Sequence, residues 1–179
     1  MRALILLTLL SVTAGAAADP APSGTGCALP AAHLHARLSG AIDEDVDWSA
    51  SAMECDGMPR VDGGFRLRFT GQTAAGELVV VLGIPSLAEG VSSKAVPVNL
   101  TLIPAGRFVY GTRGTDKCML DQVQQLPLPS AGANRQWQVD ARGFCLEPAR
   151  AVGGDDAILV TTFELTGLLT WDSDESPTP

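Results

Sequence analysis

Apolar and polar residues alternate with a period of two along much of this chain, and that rhythm confines the fold to half-buried strands. Phe65, Leu67 and Phe69 alternate with Arg66, Arg68 and Thr70. Val96, Val98, Leu100 and Leu102 alternate with Pro97, Asn99 and Thr101. In the final apolar stretch Leu159, Phe163, Leu165, Leu169 and Trp171 are expected on one face, with Thr162, Glu164, Thr166 and Thr170 on the other. Leu78 to Ile84 is apolar at almost every position and reads as a central strand covered on both sides.

Turn residues separate these runs. Asp62, Gly63 and Gly64 precede the run at 65–70, and Thr73 to Gly76 joins it to 77–83. Pro104 to Gly106 leads from 95–103 to 107–112, and Gly153 to Asp155 precedes the last strand. Ala141 to Gly143 is expected to break 135–147 into two strands. Pro30 to Leu38 fits a short helix starting at proline, but it also alternates, and strand is the preferred reading. Short strands at this spacing predict an all-β, mainly antiparallel fold: a single-domain β-sandwich or barrel over 27–171.

The four cysteines are Cys27, Cys55, Cys118 and Cys145. An even number in an exported chain predicts two disulfides. Three pairings are possible, and Cys27–Cys55 with Cys118–Cys145 is favoured because each closes a short loop. Export is read from Arg2, the apolar run Ala3–Val12, and Ala16, Ala17 and Ala18, which together have the order of a signal peptide over 1–18. Gly24 stands where a lipobox before Cys27 wants a leucine-like residue, so a lipid anchor is a minor alternative. A flexible leader is expected at 19–26 and a disordered acidic tail at 172–179. The small-residue cleavage pattern suggests a periplasmic or secreted protein, and no segment is long and apolar enough for a membrane span.

Removing 18 residues from 179 leaves 161, with 11 basic and 20 acidic side chains and a net charge of −9. That balance argues against nucleic acid, whose backbone calls for a basic patch.

Two patterns hold possible metal ligands. Asp43, Asp45, Asp47 and Glu54 occupy positions 1, 3, 5 and 12 of a calcium loop, a spacing that can wrap hard oxygens around the ion. Trp48 stands where the sharp turn needs glycine, so an acidic edge strand is the stronger reading. His33 and His35 would project from one strand face roughly 7 Å apart, a separation compatible with a shared copper or zinc ion. Met53 and Met58 flank Cys55 and could add soft ligands, although buried methionines more often fill a core.

Catalytic signatures are scarce. G-x-S-x-G, S-x-x-K and H-E-x-x-H do not occur. Asp155 and Asp156 keep a carboxylate hydrolase open as a third reading. The leading expectation is therefore a non-catalytic extracytoplasmic binding module without a cofactor. It would contact a protein or envelope component through Ser86–Ser93 and Leu126–Arg135, which lack a strand pattern. A metal-binding or metal-handling protein is the alternative.

Overall fold

A computed structural model describes residues 26–61, 63–114, 117–129 and 134–171. The expected signal peptide, nearly all of the leader, and the acidic tail lie outside the described residues. Among the described residues every regular element is a strand. In chain order they are β1 (His33–Gly40), β2 (Glu44–Ser49), β3 (Met53–Pro59), β4 (Phe65–Thr73), β5 (Gly76–Ile84), β6 (Ser93–Pro104), β7 (Tyr110–Gly111), β8 (Cys118–Leu128), β9 (Arg135–Cys145), β10 (Ala149–Ala151) and β11 (Ala157–Trp171). All pairings are antiparallel.

The pairings close a six-strand barrel: β6 bonds β7 and β8, β8 bonds β9, β9 bonds β11, and β10 bridges β11 to β7. Two wings extend from it. One runs from β6 through β5 and β4 to β3, and the other from β11 through β1 to β2. The wings fold face to face. Leu34, Ala36, Leu38 and Val46 meet Val80, Leu82, Leu100 and Leu102 in one buried cluster. The Trp48 indole N–H donates to the Gln72 carbonyl at 2.8 Å, tying β2 to β4. Gly71 leaves the room this ring needs, since a Cβ there would stand 2.6 Å from it.

The alternation is thus realised as inward apolar faces, and Pro30–Leu38 contributes strand β1 rather than a helix. Strands β11 and β9 depart from the sequence reading. Arg37 pairs with Thr162 but Leu38 pairs with Val160, so Thr161 is an extra residue on β11. Such a bulge switches the inward parity. Ile158 and Val160 are buried before it, and Phe163, Leu165 and Leu169 after it. Leu159 is therefore on the outer face, not with Phe163 as expected. The predicted turn at 141–143 is also absent, because β9 runs unbroken from Arg135 to Cys145.

The disulfides are Cys27–Cys55 and Cys118–Cys145, the favoured pairing. Closed disulfides in a small β domain belong to an oxidising, extracytoplasmic environment. No helix among the described residues is long and apolar enough to cross a membrane.

Candidate functional site: an anchored corner beside a polar sheet face

Strand β1 has period two, so His33 and His35 do share a face. His35 lies opposite Asp47 on β2 and Glu164 on β11, and His33 opposite Ser49 and Thr166. The register continues outward from Glu164 to Arg142 on β9 and Gln122 on β8. From Thr166 it runs to Asp140 and Gln124. These two rows border a shallow groove of about 390 Å³ that includes His33 but not His35. Asp140 is fixed within it: its carboxylate accepts from the Thr166 hydroxyl at 2.6 Å and from the Gln138 amide at 3.0 Å.

The acidic run behaves differently from a calcium loop. Its residues 44–49 are extended, so Asp45 and Asp47 project outward on β2 while Val46 and Trp48 enter the core. Asp43 and Asp45 pair with the Arg37 guanidinium, and Glu54 is exposed on β3. Met53 is buried in the core, and Met58 is exposed. Among the described residues no three His, Cys, Asp or Glu side chains converge as a metal ion would need. Asp155 and Asp156 are exposed in the turn between β10 and β11.

The two segments expected to be contact loops meet at one corner of the barrel. Leu126, Pro127 and Leu128 are not loop: they extend β8, opposite Gln138, Trp137 and Gln136. Pairing continues through Pro127 although proline lacks an N–H. Residues 86–92 cross beside this ribbon and are held by side chains from it. The Gln125 amide donates to the carbonyls of Ala88 and Val91 at 2.9 Å each and accepts from the Gly90 N–H at 3.1 Å. Gln125 is buried, so these three bonds satisfy an amide placed where the inward register would put an apolar residue.

Glu89 makes the second attachment. It accepts from Arg135 Nε at 2.6 Å and Nη2 at 2.9 Å, and from the Trp137 indole at 3.0 Å. The hydrogen bond from Arg135 is the main cause holding the Glu89 carboxyl below its ordinary 4.5, against the opposing effect of burial. The indole also backs the loop: a Cβ on Gly90 would meet it at 2.9 Å, and Gly90 has φ +72°, a conformation suited to glycine. The loop thus presents a fixed surface on which Val91 (45%) and neighbouring Leu126 (46%) remain exposed.

The pH dependence of this anchor follows from the sign of the shift. A carboxyl depressed in the folded state stabilises it fully above the unfolded value of 4.5 and loses that effect as pH falls through the lower folded value. Protection of the amides at 86–91 from exchange, measured relative to their intrinsic rates, should therefore fall on acidification below pH 4.5, more than protection in β4. Gln125→Leu should have the same local effect at neutral pH and lower global stability by about 1–3 kcal/mol, because carbonyls 88 and 91 lose their donor. Unchanged exchange at 86–91 in both experiments would show that the loop is held by something else.

Glu89 falls within the expected contact segment Ser86–Ser93, but the sequence marks neither it nor Gln125 as an anchor. Gln125 carried one signal, a polar residue in step with inward Val123. No protein-family model, curated protein or solved structure matches this chain.

Proposed function

We propose that the protein is a non-catalytic extracytoplasmic binding module, delivered to the periplasm or beyond by the signal peptide read at 1–18, and that its contact surface is the corner formed by 86–93 and the adjoining ends of β8 and β9. The observation that supports this reading is the double anchorage of the loop by Gln125 and by the Glu89–Arg135–Trp137 cluster. A loop ordered before association loses less conformational entropy on binding, so its exposed side chains contribute more of their contact energy. Val91 and Leu126 supply apolar contact, and the polar groups around them suit a protein surface or another envelope component.

Photocrosslinking tests the assignment. A crosslinking residue is placed at Val91, at Leu126, or at the exposed control Glu77 on β5, and the protein is exported in its own host. Specific adducts are expected from Val91 and Leu126, weakened by Gln125→Leu, and not from Glu77. The same adducts at all three positions, or none at Val91 and Leu126, would remove the corner as the contact surface.

A further inference from the structure

A recess lies at the other end of the β8–β9 ribbon. It encloses about 620 Å³ and is bordered by Arg113, Lys117 and Arg150, with Glu147 and Asp155 also on its wall. Lys117 immediately precedes Cys118, and Glu147 follows Cys145 by two residues, so the Cys118–Cys145 disulfide holds this side of the recess together. Lys117 is paired with Glu147 at 2.5 Å. Arg113 and Arg150 make no hydrogen bond or ion pair within the described residues.

The strand register explains why Arg150 faces open space. Its two cross-strand neighbours are Gly111 on β7 and Ala157 on β11, the smallest side chains available. Tyr110 is buried, so the next position, Gly111, faces outward with Arg150. A Cβ at Gly111 would meet no atom within 4 Å, so the face that Gly111 shares with Arg150 is open there. The net charge of the whole chain is −8, so an anion would be drawn here by the local groups, not by a general positive field.

We propose that this recess binds a soluble phosphate monoester carrying hydroxyl groups. Arginine forks match phosphate oxygens in two-pronged hydrogen bonds, and Lys117 adds a third cation. Glu147 and Asp155 can accept from hydroxyls on the same ligand, which an isolated anion would not use. The volume lies within the range of small-molecule sites, roughly 300–1,000 Å³. This site is separate from the corner at 86–93 and does not depend on it.

The test is calorimetric titration of the full, disulfide-closed protein with glycerol 3-phosphate and with glucose 1-phosphate. Saturable one-to-one binding is expected with at least one of them, weaker binding with inorganic phosphate, and none with glycerol or glucose. Arg113→Ala and Arg150→Ala should each weaken binding about tenfold, the loss of a charge-assisted hydrogen bond. Gly111→Val should weaken it by placing side-chain atoms on the face shared with Arg150, with an unchanged melting temperature because the site has room and no positive φ. No binding by either ester, or binding insensitive to Arg150→Ala and Gly111→Val, overturns the proposal. Equal affinity for inorganic phosphate overturns the role given to Glu147 and Asp155.

Discussion

Gly143→Val is expected to destabilise the protein by about 3 kcal/mol or more, although glycine to valine ordinarily favours a strand. Gly143 is the middle of three strands, paired with Leu120 on β8 and Phe163 on β11. A Cβ there would lie 2.2 Å from the Met119 carbonyl oxygen, 2.8 Å from Phe163 Cζ and 3.1 Å from Leu120 Cα. Two of these three atoms are backbone, held by strand pairing, and cannot rotate away. Relief requires separating β8 from β9 next to the bulge that skips Asp121 between Leu120 and Gln122. Urea unfolding measures the loss, and Gly111→Val is the matched control, expected within about 0.5 kcal/mol of the parent. Similar midpoints for the two variants would mean that the approach at Gly143 is not what limits this strand.

Gly143 also shows where sequence periodicity stops being informative. A glycine between alternating runs signals a turn or a close approach of backbones, and both leave the same local pattern. The choice is made by strands β8 and β11, which are distant in sequence. Bulges have the same character. Ile158, Val160, Phe163 and Leu165 look out of phase until Thr161 is removed from the count, and nothing local in Thr161 identifies it as the extra residue. The regular stretches were legible because hydrophobic burial acts residue by residue: Phe65, Leu67 and Phe69 are all buried, with Arg66 and Arg68 exposed between them.

The site residues divide along the same line. That 86–92 is not a strand could be read locally, as could the shared face of His33 and His35. That Glu89 meets Arg135 and Trp137 could not, because the partners are 46 and 48 residues away. Arg113 and Arg150 likewise share a recess only because β10 bridges β7 and β11. A charged residue leaves no periodic trace of its partner, whereas an apolar one reveals its face through its neighbours. Fold class was accordingly far more legible than the surface the fold assembles.

The disulfides separate global from local stability. Replacing Cys118 and Cys145 together by alanine should lower stability by about 3–4 kcal/mol through chain entropy, and replacing Cys27 and Cys55 should do nearly the same. The sequence separations are 27 and 28, so the two closed loops restrict the unfolded chain almost equally. In a domain of this size either loss corresponds to roughly 10 °C in Tm. The folded states should respond differently. Cys118 and Cys145 are directly opposite in β8 and β9, whose pairing continues to Leu128 and Gln136 without the bridge. Cys27 precedes β1 and is tied to β3, an edge strand that among the described residues pairs with β4 and otherwise accepts one backbone bond, from the Cys27 N–H to the Met53 carbonyl at 2.8 Å. Loss of Cys27–Cys55 should therefore expose amides in β3 to rapid exchange at neutral pH, whereas loss of Cys118–Cys145 should leave β8 and β9 protected beyond their last pair. Equal protection of β3 in the two variants would show that its packing against β11, where a Cβ on Gly57 would meet the Leu168 carbonyl at 2.5 Å, holds that edge without the covalent tie.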